Sequence, residues 1–187
     1  MATVAEGLAP EYGWVALSLV GIGAQVVLTG IPVGGARRKV FGKGAPIRET
    51  SEFKALQDEH KKAYNGQISD NGYPDMGDGR FGALLSYKEW HDFACAQRAH
   101  QNYVEGAATI IIILSVLSLW APLLAAVCGG VYMVGRQLYG MGYRSTAVSG
   151  GRLVGAIILD IALVVAFFAA LWFAVEHTGA LDGLLGQ

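Results

Sequence analysis

The chain of 187 residues is poor in cysteine and in charge. Its two cysteines, Cys95 and Cys128, fall at or inside apolar stretches, so the sequence indicates neither a disulfide framework nor a zinc site. Charged residues make up 16% of the chain, against about 25% in a typical soluble domain. Hydrophobic residues make up 53%, and the mean hydropathy is +0.39. This composition argues against an ordinary soluble domain, and the net charge of −1 gives no indication of nucleic-acid binding.

Four apolar segments have the character of transmembrane helices. They are residues 13–33, 107–119, 121–142 and 153–175. A bilayer core requires about 20 helical residues, and only the second segment needs its polar flank to reach that length. Short links join the last three segments, which makes neighbouring helices antiparallel. We therefore predict an all-α membrane protein in which four transmembrane helices form an up-down bundle.

Lysine and arginine are absent from the N-terminal segment, from the turn between the second and third apolar segments, and from the C-terminal tail. By the positive-inside rule, the two basic connecting segments face the cytosol or the mitochondrial matrix, and both termini lie opposite. We therefore expect a multi-pass protein of the endoplasmic reticulum or of a mitochondrial membrane. Because the first residues contain no basic region, we do not expect a cleaved secretory signal.

A polar insertion at about 41–92 separates the first two apolar segments within a single predicted domain, 1–187. Residues 51–65 show helical spacing, with Phe53, Leu56 and Tyr64 as the expected apolar contacts.

The following residues have turn chemistry, with Asn-Gly, Pro and Asp-Gly in close succession. Asp70, Asp75 and Asp78 lack the ligand order of a calcium-binding loop, so a plain surface turn is the expectation.

The stretch CAQRAHQNYVEG, residues 95–106, places polar side chains directly before the second apolar segment. Arg98, Asn102 and Glu105 are spaced i, i+4 and i+7, which puts them on one face of a helix. His100 points away from that face, so we expect it to meet a different helix or a different subunit.

The third helix carries a second polar stripe, composed of Tyr132, Arg136, Tyr139 and Tyr143. Four segments deliver an arginine to the basic membrane face: Arg37, Arg98, Arg136 and Arg152. Ionisable groups in a membrane are costly and usually have a partner or a function. An excess of arginine beside tyrosines favours an anionic ligand, because the guanidinium binds carboxylates in a bidentate manner.

Structural interpretations of the same residues remain open. Arg98 and Glu105 could form an ion pair, the basic residues could anchor the chain to membrane lipids, and the tyrosines could form an interfacial belt. Asp160, about eight residues into the fourth helix, is expected to be a structural partner of Arg136 or of a serine. A transporter or channel that uses Asp160 is a weaker alternative.

Four pieces of sequence carry a family resemblance. They are EYGWVAL before the first helix, GARRKV after it, CAQRAHQNYVE at the start of the second, and VGRQLYGMGY at the end of the third. With them the chain resembles the MAPEG family, the membrane-associated proteins of eicosanoid and glutathione metabolism, and is most similar to the type 3 microsomal glutathione transferases.

The resemblance implies a homotrimer of four-helix protomers that binds glutathione between subunits. It implies a membrane-bound glutathione S-transferase or peroxidase, acting on hydrophobic electrophiles or lipid hydroperoxides. Arg152 would activate the thiol, with Tyr139 as the second catalytic residue. The implied glutathione-binding residues are Arg37, Arg98, His100, Asn102, Glu105, Arg136 and Tyr143.

The chain departs from the family pattern in two places. Gly106 stands where leukotriene-synthase-like members have a tyrosine, and the insertion between the first two helices is longer than usual. The charged insertion would offer a docking surface, so the alternative function is a non-catalytic accessory subunit of a larger membrane complex, such as a mitochondrial respiratory complex.

Overall fold

The computed structural model describes residues 9–145 and 149–179. Within these two ranges the regular structure is entirely helical. The predictions for the first residues, for the orientation of both termini and for part of the link before the last helix lie outside the described residues.

Five α-helices follow one another along the chain. They are α1 (Glu11–Phe41), α2 (Ser51–Tyr64), α3 (Tyr87–Leu117), α4 (Pro122–Ser145) and α5 (Leu153–Glu176). Three short 3-10 helices join them, at Pro46–Glu49, Gly82–Leu84 and Ser149–Arg152. Helix α4 packs against α1, α3 and α5, and α3 also contacts α1 and α5. The four long helices therefore share one core, whereas α2 belongs to the polar insertion.

Helices α1 and α5 are long and apolar enough to cross a membrane. Their most apolar windows have mean hydropathies of 1.9 and 2.7, yet only 17% and 28% of those windows are buried. Large apolar side chains such as Val20, Val27 and Phe168 lie on the surface. A soluble protein would bury such a face, so this surface fits lipid or another subunit. Membrane crossing by α3 and α4 stays a prediction.

Helix α3 begins earlier than the apolar pattern indicates. Ser86 and Glu89 form a capping box, in which the Glu89 amide donates to Ser86 Oγ and the Ser86 amide donates to Glu89 Oε2, at 3.4 and 3.2 Å. This reciprocal pair satisfies two free amides and starts the helix at Tyr87, in a polar context. The segment between α1 and α3 is therefore 42–86, shorter than the predicted insertion at 41–92.

Helix α2 lies where the sequence predicts it, but Tyr64 does not make the apolar contact that the sequence predicts. Thr50 caps its first turn by accepting from the Phe53 amide, and Asn65 ends it in the left-handed conformation, with φ 51°. Phe53 is fully buried against Phe81, at 5.4 Å between ring centroids. Tyr64, expected to pack inward, is 76% exposed because it lies in the last turn of the helix, beside the half-buried His60 ring.

Asp75 organises the turn-rich segment that follows α2. Its Oδ1 accepts the amides of Gly77 and Gly79 at 2.7 and 3.1 Å. Its Oδ2 accepts the amides of Phe81 and Gly82 at 2.7 and 2.9 Å. Four N–H donors occupy the carboxylate, and Asp75 is 7% exposed. The plain surface turn expected for this residue is therefore wrong: Asp75 is the buried centre of the turn.

Helices α4 and α5 approach closely at two glycines. A Cβ at Gly135 would lie 2.6 Å from the backbone nitrogen of Leu159, and one at Gly155 would overlap the backbone of Tyr139. Residues without a side chain at these positions let the two helices pack closely. The Gly155 contact also fixes the backbone that carries the Tyr139 side chain.

We expect Asp75→Asn to open the segment between α2 and α3. An amide replaces two accepted hydrogen bonds with N–H groups that face backbone donors, at a cost of about 2–4 kcal/mol. Local opening then becomes at least about 30-fold more frequent. Tryptic cleavage after Arg80 measures this opening. Asp78→Asn, at an exposed position nearby, is the control, and equal cleavage of both variants would contradict the role of Asp75.

We expect Gly155→Ala to separate α4 from α5, because the methyl group overlaps the backbone of Tyr139. Overpacking of this kind costs about 1–3 kcal/mol, which thermal unfolding in detergent measures as a lower midpoint. Gly130→Ala on α4 is the control, since a Cβ there meets nothing within 4 Å. A midpoint unchanged in both variants would show that the contact is dispensable.

Candidate functional site

The hydroxyl of Tyr139 joins three helical segments. Asn102 on α3 donates from Nδ2 to this oxygen at 2.7 Å, and Arg152, directly before α5, donates from Nη1 at 3.4 Å. Tyr139 itself is 8% exposed. A phenol oxygen has two acceptor positions and one hydrogen. Within the described ranges no group accepts the hydroxyl hydrogen, so it can donate to a ligand.

Arg152 adds a positive charge at the start of α5. It is the N-cap residue of that helix, where the free amides of the first turn also create a positive potential. Its guanidinium carbon lies 5.2 Å from the ring centroid of Tyr143, which in turn lies 5.6 Å from that of Tyr139. We call Asn102, Tyr139, Tyr143 and Arg152 the hydroxyl cluster; its charge and hydrogen-bond donors suit an anion.

Arg136 continues the polar stripe deeper along α4. Its Nε donates to the Tyr132 hydroxyl at 2.9 Å, and its guanidinium carbon lies 5.1 Å from the Tyr103 ring and 5.7 Å from the Tyr139 ring. A Cβ at Gly106 would lie 2.5 Å from Arg136 Nη2. The predicted stripe is therefore continuous, and Gly106 provides the space in which Arg136 reaches α3.

Arg98 and Glu105 lie on the open face of α3. Both are exposed, and among the described residues neither forms an ion pair within 4.0 Å. Arg98 and Glu105 therefore do not pair with each other within one protomer. Both side chains remain available to a ligand or to another subunit, and Asn102 lies beside them on the same helix.

His100 faces α1, as its position on the helix predicts. Its Nδ1 lies 3.1 Å from Thr29 Oγ1, and its ring fills the space beside Gly30. A narrow crevice between α1, α3 and α4 is lined by both His100 and Arg136. His100 thus borders the polar stripe from the side opposite to Arg98.

Arg37 belongs to a second group of contacts, at the end of α1. It is 3% exposed, and its guanidinium carbon lies 4.1 Å from the Tyr73 ring and 5.1 Å from the Phe93 ring. It donates to the Asn71 carbonyl and to Met76 Sδ, both at 3.4 Å. The structure therefore surrounds Arg37 with the insertion and does not bring it into contact with the hydroxyl cluster.

Asp160 does not have the structural partner expected from the sequence. It is exposed on α5, and within the described ranges its carboxylate forms no ion pair or hydrogen bond. Arg136 instead uses a tyrosine hydroxyl and aromatic rings, which explains why it needs no acid.

A polar link that sequence reasoning missed connects α1 to the site. The Tyr103 hydroxyl donates to Gln25 Oε1 at 2.7 Å. Gln25 Nε2 donates to the Met133 carbonyl and to Gln137 Oε1, at 3.1 and 3.2 Å. An amide inside the charge-free segment 13–33 was the available signal, because a polar side chain in apolar surroundings requires hydrogen-bond partners.

The MAPEG family model matches residues 15–172. The chain belongs to the MAPEG family. Members of this family include glutathione transferases and related proteins, and they commonly use glutathione. The matched range contains the hydroxyl cluster, Arg136 and the open face of α3.

Proposed function

We propose that this MAPEG protein is a glutathione S-transferase or peroxidase similar to the type 3 microsomal enzymes. It would conjugate glutathione to hydrophobic electrophiles or reduce lipid hydroperoxides. The observation that carries the proposal is the Tyr139 hydroxyl, which accepts two hydrogen bonds and keeps its own hydrogen for a ligand. Beside it, Arg152 supplies a positive charge at a helix N-terminus.

The described residues fit the chemistry of glutathione, which has two carboxylates, an ammonium group and a thiol. The exposed guanidinium of Arg98 matches a carboxylate, and Glu105 matches the ammonium group. Arg136 and Tyr143 lie on the polar stripe next to Tyr139, and His100 lines the crevice beside Arg136. Arg37 would join them only if its contacts with Tyr73 and Met76 were broken.

The exposed position of Arg98 and Glu105 favours a site completed by another subunit. A ligand held at the surface of one protomer would remain partly hydrated, whereas a site between protomers in a homotrimer would enclose it. The apolar outer faces of the long helices then serve for lipid and for the approach of a hydrophobic substrate.

Glutathione supplies the thiol nucleophile when bound. A free cysteine thiol has a pKa of about 8.5, so little thiolate exists at neutral pH. Arg152 and the N-terminus of α5 would stabilise negative charge on that sulfur and lower the pKa of the thiol. Tyr139 would supply a hydrogen-bond donor to the thiolate, while Asn102 holds the phenol in place.

We expect Tyr139→Phe to lower kcat/KM for conjugation of glutathione to an aryl halide by about 10- to 100-fold, because one preorganised donor is lost.

We expect Arg152→Ala to move the pH–rate profile to higher pH, since loss of the cation raises the pKa of the bound thiol. Ultraviolet absorbance of the thiolate provides a separate readout.

Arg80→Ala is the matched control for both variants. Arg80 is exposed in the insertion, where it pairs with Glu59, and it lines neither the hydroxyl cluster nor the crevice beside Arg136. Its replacement should leave the rate and the profile unchanged. Wild-type rates in Tyr139→Phe and Arg152→Ala would exclude the proposed roles.

A second candidate function is that of an accessory subunit in a larger membrane complex. The observation that favours it is the ordered insertion, which shares a buried apolar cluster with α1 and α3 and has an exposed charged surface. Native gels of solubilised membranes separate the two cases. Migration as a free trimer supports an independent enzyme, and migration with a large complex supports recruitment.

A further inference from the structure

The side chain of Met76 lies over two buried polar groups. Its sulfur is 3.4 Å from Nη2 of Arg37 and 3.8 Å from Nε2 of Gln97. Met76 is 45% exposed, whereas Arg37 and Gln97 are 3% and 6% exposed. A partly exposed side chain therefore covers two buried donors.

Both donors are poorly satisfied by their present partners. Apart from the sulfur, the described residues offer Arg37 one hydrogen-bond acceptor, the Asn71 carbonyl at 3.4 Å, and no acidic partner. Among those residues, Gln97 Nε2 has only the sulfur as acceptor, at 3.8 Å. Thioether sulfur is a weak acceptor, and a buried charge is costly without strong hydrogen bonds. An oxygen atom on the Met76 sulfur would be a stronger hydrogen-bond acceptor for both donors.

We infer that Met76 is a site of oxidation by hydroperoxides, and that Arg37 and Gln97 hold the resulting sulfoxide. The inference does not depend on glutathione chemistry. The thioether attacks the outer oxygen of a hydroperoxide, the O–O bond breaks, and an S–O bond forms. The hydroperoxide proton passes to the departing oxygen, so thioether and hydroperoxide give sulfoxide and alcohol.

Arg37 favours this reaction in two ways. Its guanidinium stabilises the negative charge that develops on the departing oxygen. In the product, the sulfoxide oxygen replaces a weak N–H···S contact with a charge-assisted N–H···O bond. The Gln97 amide provides a second donor to the same oxygen.

Hydrogen bonds hold the backbone on both sides of Met76, which places the start of its side chain beside these donors. The Asp75 carboxylate holds the turn through four amides. The Gly77 carbonyl accepts from Trp90 Nε1 at 2.8 Å. Among the methionines within the described ranges, Met133 and Met141 lie on α4 and have no N–H donor at the sulfur.

The test compares oxidation rates in the purified full-length protein and in a synthetic peptide of residues 70–82. Each is treated with tert-butyl hydroperoxide, and mass spectrometry of the digests measures the Met76 sulfoxide. The peptide gives the rate of a fully exposed methionine in the same sequence. We expect Met76 in the protein to react at least about threefold faster despite its smaller exposure.

Two variants test the assigned donors. Gln97→Leu and Arg37→Lys should each lower the Met76 rate towards that of the peptide. Thermal unfolding checks that each variant is folded. If Arg37→Lys is unstable, Gln97→Leu still tests the donors, because it leaves Arg37 unchanged. Oxidised wild-type protein should unfold no earlier than reduced protein, whereas oxidised Gln97→Leu should unfold earlier.

Either of two results would overturn the inference. One is a Met76 rate equal to or below that of the peptide. The other is a fast rate that neither variant changes, since the donors would then have no part in the reaction.

Discussion

The close contact between α4 and α5 at Gly155 supports much of the site. With no side chain at this position, α5 packs directly on the backbone of Tyr139. This approach brings the start of α5, with Arg152, within hydrogen-bond distance of the Tyr139 hydroxyl. The same hydroxyl receives Asn102 from α3. One glycine therefore sets the geometry in which three helices share a single oxygen atom.

The structure accommodates two arginines in apolar surroundings without acidic partners in the described residues. Arg136 uses a tyrosine hydroxyl and the faces of aromatic rings, and Arg37 uses the rings of Tyr73 and Phe93. An aromatic face attracts a cation, and a guanidinium loses less hydration there than an ammonium group would. Such contacts leave the positive charge without a neutralising acid, which keeps it available to an anionic ligand or an oxidised sulfur.

Local sequence patterns predicted the long helices and the polar stripe of α4, because helical spacing repeats within a few residues. The last helix was predicted at 153–175 and occupies Leu153–Glu176. The surroundings of Arg37 could not be predicted in this way, since Met76 is 39 positions away along the chain. The exposed state of Asp160 was also missed, because Arg136 contacts the Tyr103 ring on α3 and the Tyr132 hydroxyl on α4 instead.

The insertion and the long helices are joined through one apolar cluster. Phe41 at the end of α1 and Phe93 in α3 are both buried in it, with ring centroids 5.4 Å apart. A Cβ at Gly72 would press on Phe41, and one at Gly77 would press on Phe93, so segment 72–77 lies directly on these rings. Arg37 is enclosed by the same contacts. Access of a ligand to Arg37 is therefore coupled to the packing of the insertion, whereas access to Arg98 on the open face is not.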